Sequence, residues 1–62
     1  MYLSEAIDGA RRLAFRYKTT AIVYWKQANN YAYATEHRLL SGKRQLNRWR
    51  YRVHPDGSLE KV

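Results

Sequence analysis

Arginine stands at alternate positions in Arg48, Arg50 and Arg52, with Lys43 and Arg44 just upstream and no acidic residue between Lys43 and Val53. Five of the 12 Lys and Arg residues therefore fall within ten positions, and such a strip attracts polyanions. Tyr31 and Tyr33 alternate in the same manner, as do Tyr24 and Lys26. Phosphates call for point charges, and bases or sugars for flat surfaces. Guanidinium groups interleaved with tyrosine rings on a rigid sheet would offer both. The chemistry is that of binding. The same residues also have a purely structural use, because cross-strand Tyr and Arg pairs stabilise an exposed sheet face and charges on edge strands discourage aggregation.

A second basic group, Arg11, Arg12, Arg16 and Lys18, lies on a helical pattern, where it reads first as a solvated face balanced against the helix dipole. It points in a different direction from the arginine strip, so the two would not share one straight groove. No other constellation carries chemistry. His37 and His54 have no second ligand at a metal-binding spacing. Glu36 and His37, as neighbours on a strand, would face opposite sides. Ser4, Ser41 and Ser58 occupy cap or turn positions, and Gly9, Gly42 and Gly57 are isolated rather than grouped into a phosphate loop. The expectation is no catalysis, no metal and no cofactor. Trp25 and Trp49 read as the main mass of a small core.

The elements that must position these groups begin with a helix over about 4–18. Leu3, Ala6, Ile7, Ala10, Leu13, Ala14 and Tyr17 follow the i, i+3, i+4, i+7 spacing of one apolar face. Ser4 is expected to cap it, and Asp8 and Arg12 are spaced to pair on its outer side. Gly9 weakens its middle by about 1 kcal/mol relative to Ala unless something packs closely there. Beyond Thr19-Thr20, β-branched and aromatic residues predict strands at about 20–27, 31–40 and 44–53. Asn29-Asn30 and Ser41-Gly42 are candidate two-residue turns. His54-Pro55-Asp56-Gly57 is the strongest turn signal and leaves 58–62 as a short fourth strand. The segment 36–46 fits a short helix as an alternative.

With two-residue turns, Trp25 would face Ala34, and Ala34 would face Trp49. One face then carries Ala21, Val23, Trp25, Ala32, Ala34, Trp49, Tyr51 and Val53, its alanines leaving room for Ile7, Ala10, Leu13 and Ala14 of the helix. The other carries Tyr24, Lys26, Tyr31, Tyr33, Thr35, Arg48, Arg50 and Arg52, with Tyr33 opposite Arg50 and Tyr31 opposite Arg52. A slip of one residue in either turn would exchange a strand's faces.

The expected fold class is therefore α+β: one domain, 1–62, with an N-terminal amphipathic helix packed on a three- or four-stranded antiparallel β-meander. A helix followed by three strands resembles the general layout of part of a double-stranded-RNA-binding domain, and similar layouts occur in sheet-reading DNA-binding modules. No motif of either can be matched residue by residue, and the first would need a C-terminal helix.

A chain of 62 residues has one thin core and no second domain with which to form a deep cleft. It has no cysteine, hence no disulfide framework, which fits a reducing cytoplasm. The longest apolar run is Ala21 to Trp25, far short of a membrane span. No membrane association is expected, and the N-terminus does not read as a signal peptide. A net charge of +7 points to a polyanionic partner.

The leading expectation is a small, non-catalytic nucleic-acid-binding protein. It would use Tyr24, Tyr31, Tyr33, Arg48, Arg50 and Arg52 on the sheet, with Lys26, Lys43 and Arg44 on phosphates; DNA and RNA stay open. The alternative is a regulator or inhibitor docking the same face on an acidic protein, since Tyr and Arg also dominate protein interfaces. Small regulators and inhibitors made by bacteriophages and other mobile elements are chains of this size. A homodimer covering the aromatic face is a third reading.

Overall fold

The computed structural model describes residues 1–42 and 46–62, so the expected phosphate contacts Lys43 and Arg44 lie outside the described residues. The elements run α1 (Leu3–Tyr17), β1 (Ala21–Gln27), β2 (Asn30–Thr35), α2 (Glu36–Ser41), a single 3-10 turn (Leu46–Arg48), β3 (Trp49–Val53) and β4 (Leu59–Lys61). The α+β class holds: α1 packs on a four-stranded antiparallel sheet. The strand order, however, is β2-β1-β3-β4. This is not a continuous meander. The connection after β2 folds into α2 and the 3-10 turn, and β3 arrives on the opposite side of β1.

Helix α1 begins one residue earlier than expected. Glu5 accepts a hydrogen bond from the Tyr2 N–H at 3.0 Å, so the first turn is closed by a carboxylate in place of Ser4. The expected Asp8–Arg12 pair does not form; among the described residues Arg52 pairs with Glu36, and His54 Nε2 lies 3.0 Å from Glu60 Oε1. On the inner side, Ala6, Ala10 and Ala14 are wholly buried and Gly9 is buried with them. This small-residue stripe lets α1 lie close to the sheet. Ala21, Val23 and Val53 meet it, and Tyr31, Tyr33 and Tyr51 fill the space around them.

The sheet's large tyrosines thus pack on the helix's small residues, the reverse of the expected division. The Gly9 question is settled by the same contact. A Cβ built on Gly9 would lie 2.3 Å from Cε1 and 2.4 Å from Cζ of Tyr33, so the glycine is there because the ring crosses the helix at that point.

The inversion of β2 has a specific cause. The tight turn is Ala28-Asn29 rather than Asn29-Asn30, with Gln27 paired to Asn30 and Ala28 in the left-handed region at φ 46°. Moving a two-residue turn by one position keeps the faces. A bulge then leaves Lys26 as an extra residue between the Trp25–Tyr31 and Gln27–Asn30 pairs. That single insertion exchanges the faces of β2 relative to β1. Val23 now faces Tyr33 and Trp25 faces Tyr31.

A second bulge lies across β1. Val23 pairs with Tyr51 but Tyr24 pairs with Trp49, leaving Arg50 as the extra residue of β3. Trp49 is thereby turned away from α1. It joins Ile22 and Leu39 in a second buried cluster, with Tyr24 and Ala34 against it.

Leu39 belongs to α2, which replaces the expected far end of the 31–40 strand. The Thr35 hydroxyl accepts from the Arg38 N–H at 3.3 Å, an N-cap that explains why the chain turns helical here. Both sheet faces are therefore covered in part, one by α1 and the other by α2. The expectation that both tryptophans belong to one core is corrected: Trp49 is 5% exposed, whereas Trp25 is only half-buried.

The third turn is as expected. Gly57 has φ 92°, its N–H donates to the His54 carbonyl at 2.9 Å, and Asp56 Oδ1 accepts from the Ser58 hydroxyl at 2.7 Å and the Ser58 N–H at 2.9 Å. These donors, the hydroxyl foremost, hold the Asp56 carboxyl below its ordinary value. β4 then pairs with β3, and Leu59 and Val62 stay exposed.

Candidate nucleic-acid interface

The nine residues singled out in the sequence do not form one row. Tyr31 and Tyr33 pack under α1 with the first core cluster, and Tyr24 packs beside the second. The expected Tyr33–Arg50 and Tyr31–Arg52 partnerships are absent, because β2 pairs with β1 and not with β3. Arg52 lies across β1 from Ile22. Its Nε donates to Glu36 Oε2 at 3.1 Å, and its guanidinium lies 5.8 Å from the Trp49 ring centroid. A carboxylate offsets its charge, so Arg52 belongs to the fold more than to a binding surface.

Arg48, Arg50 and Lys26 are brought together, and the residue at their centre is Trp25. The guanidinium of Arg48 lies 5.3 Å and that of Arg50 5.7 Å from the Trp25 ring centroid. Both distances are within the range of cation–π attraction. The two bulges explain the meeting. The Arg50 bulge breaks the alternation that would have set Arg50 beside Arg52, and the 3-10 turn carries Arg48 back toward β1.

Carbonyl groups fix the arginines further. Arg48 donates to the Lys26 carbonyl at 2.8 Å, while Arg50 donates to the Asn47 carbonyl at 3.0 Å and the Trp49 carbonyl at 3.3 Å. The Trp25 indole N–H donates to the Ala28 carbonyl at 2.9 Å, which locks the ring against its own hairpin turn. Lys26, the extra residue of the first bulge, is exposed beside them.

An aromatic face and backbone carbonyls orient a guanidinium without cancelling its charge, whereas the Arg52–Glu36 contact does cancel it. A guanidinium carries its N–H donors in a planar fork that suits phosphate oxygens. The result is a preorganised cationic and aromatic cluster at the end of the sheet where β1 turns into β2. Sequence reasoning had the arginines and Lys26 in the site but placed Trp25 in the core. Trp25 keeps the face of Ala21 and Val23, as alternation within β1 expects, but it joins neither buried cluster; the two bulges, which nothing in the local sequence marks, change its neighbours.

On the other side of the sheet, Tyr24, Tyr33, Ala34, Arg38, Leu39, Ser41 and Gly42 line an open cleft of about 540 Å³. It offers one cation and no carboxylate or imidazole, so this lining holds no acid–base pair. The described residues contain no group of three or more His, Asp or Glu able to hold a metal. No helix among them is long and apolar enough to cross a membrane. Comparison with family models, curated proteins and solved structures finds no match for the chain.

Proposed function

We propose that the protein is a small, non-catalytic nucleic-acid-binding protein whose contact surface is the Trp25, Lys26, Arg48 and Arg50 cluster. The observation that carries the reading is the pair of guanidiniums arranged around one partly exposed indole. Phosphate binding needs cations, which the Trp25 ring holds in place here, and stacking needs an aromatic or guanidinium plane at the same place. The net charge of +7 supplies the long-range attraction that brings a polyanion to this surface. In the sequence, Lys43 and Arg44 lie shortly before Arg48 and add two cations to the same stretch.

The test is fluorescence anisotropy of labelled single- and double-stranded DNA and RNA, titrated with the protein and with an Arg48→Gln/Arg50→Gln variant at several salt concentrations. Affinity is expected to fall linearly on a log–log plot against salt. The variant should bind at least about tenfold more weakly and with a shallower slope. Absence of binding at low salt, or a variant that binds as the parent does, would refute the reading. In that case the same cationic surface would have to meet an acidic protein instead.

A further inference from the structure

The cation cluster on α1 has no role in the surface just described. Arg11, Arg12, Arg16 and Lys18 are all exposed, and none is paired with a carboxylate among the described residues. Arg11 reaches the β3–β4 turn, where its Nε donates to the Gly57 carbonyl at 3.3 Å. Arg16 lies 5.6 Å from the Tyr17 ring centroid. Two aromatic side chains stand among these cations with no core to join: Phe15 is 77% exposed and Tyr17 60% exposed. Isolated exposed aromatics are ordinary, but here they combine with four cations on one convex helix end. This is the same pairing of charge and flat apolar surface found around Trp25.

The position of this group matters as much as its content. The N-terminal end of α1 lies at the β1–β2 hairpin, where the Met1 carbonyl accepts from the Tyr31 N–H. The Trp25 cluster is at that end of the sheet. Lys18 is at the other end, because Thr19 and Thr20 lead directly into β1. A helix of 15 residues spans about 20 Å at 1.5 Å per residue. The two cationic surfaces therefore occupy opposite ends of a molecule whose longest dimension is 28 Å. The acidic residues of α1, Glu5 and Asp8, lie in the half of the helix remote from Arg16 and Lys18.

We infer that the α1 surface binds the phosphate backbone of a second nucleic-acid segment, so that one copy of the protein bridges two segments. This rests on the proposed function and extends it from binding to bridging. Charge complementarity identifies the occupant. A patch of four cations without a carboxylate partner matches a phosphate backbone, and its separation from the Trp25 cluster sets it against a different stretch of polyanion.

The experiment mixes two populations of short duplexes, one carrying a donor and the other an acceptor dye, with DNA and RNA duplexes run in parallel. Energy transfer between populations is read alongside anisotropy on a single duplex. Wild-type protein should produce transfer that rises to a maximum and falls in protein excess, as each duplex becomes separately saturated.

An Arg12→Ala/Arg16→Ala/Lys18→Ala variant, whose folding is checked by circular dichroism, should lose the transfer. It should keep its single-duplex affinity within about twofold, since its Trp25 cluster is intact. Transfer that survives in this variant would overturn the inference and point to bridging by a dimer. Loss of single-duplex affinity by tenfold or more, on the order of one lost phosphate-contact set, would overturn it too, by showing that both surfaces grip the same segment. If the wild type binds a single duplex but gives no transfer, bridging alone falls. If it binds no duplex, this inference falls, and the proposed function falls with it when single strands are not bound either.

Discussion

Substituting Gly9 by alanine tests the packing that separates the observed β2 from the one expected by alternation. A methyl group there would meet Tyr33 Cε1 at 2.3 Å, Cζ at 2.4 Å and Oη at 2.8 Å, while carbon atoms are most favourably placed about 3.5–4.0 Å apart. Such overpacking costs typically about 1–3 kcal/mol. Against it stands the gain of about 1 kcal/mol when alanine replaces glycine inside a helix. The overlap involves three atoms of a ring packed against the core, so Gly9→Ala should destabilise the protein by about 1 kcal/mol net.

In a Tyr33→Leu background the three clashing atoms are absent, and the same substitution should stabilise by up to about 1 kcal/mol. The coupling over the cycle is then about 2 kcal/mol. Thermal denaturation followed by circular dichroism measures all four proteins, and the sign change should appear as opposite Tm shifts of about 4–8 °C per kcal/mol. If Gly9→Ala stabilises both backgrounds equally, Tyr33 does not lie under α1. The inverted strand would then be wrong, and the tyrosines would return to the arginine face.

Other perturbations probe the remaining parts of the account. Glu36→Gln removes the carboxylate that engages Arg52 at 3.1 Å; it should cost about 1 kcal/mol or less, because both side chains are about one-third exposed. The freed charge should also tighten nucleic-acid binding at low salt by about two- to fivefold in an anisotropy titration. Leu39→Ala truncates a side chain that is 3% exposed and should cost about 2–4 kcal/mol in thermal or urea unfolding; a negligible loss would mean that α2 does not cover the sheet.

Asp56 has its carboxyl held below 3.8 chiefly by the Ser58 hydroxyl, so Ser58→Ala should raise its pKa toward that value in an NMR titration. A depressed folded pKa contributes stability above the unfolded value that is lost as pH falls through the folded one. The stability difference between the wild type and Ser58→Ala that arises from this titration should therefore fade on acidification through the carboxylate range.

Helix α1 was legible because its apolar spacing repeats over four turns and its end is followed by strand-forming residues. The Pro55-Asp56-Gly57 turn was legible because each residue type there has one conformational use, and Gly57 adopts the positive φ that this implies. The short helix α2 had been weighed against a strand end. The Thr35 cap followed by Glu36 is the local signal that decides it, but Leu39 is needed on the sheet to make six residues of helix worthwhile.

The candidate surface was legible in composition and not in geometry. Arg48, Arg50 and Lys26, expected on one face, do come together around Trp25, while Tyr31 and Tyr33 lie on the face opposite to the one expected and Trp25 lies outside the core. The Lys26 bulge accounts for the tyrosines, whereas Trp25 keeps its expected face and lies outside both buried clusters. Period two carries no information across an inserted residue, and an alanine with φ 46° at the hairpin has no sequence signature of the kind that Asn-Gly provides. The strand order depends on α2 occupying the connection between β2 and β3, a tertiary fact that pairwise turn reasoning does not contain.

On the proposed function, Trp25, held between Arg48 and Arg50, meets the nucleic acid while Trp49 does not. The two tryptophan indole N–H groups give two separate side-chain resonances in a nitrogen–proton correlation spectrum. Titration with an oligonucleotide should shift the Trp25 resonance progressively, because its ring lies in the contact surface, and should leave that of Trp49, buried against Ile22 and Leu39, unmoved. A saturating titration in which the Trp25 resonance stays fixed, or in which Trp49 alone moves, would contradict the account.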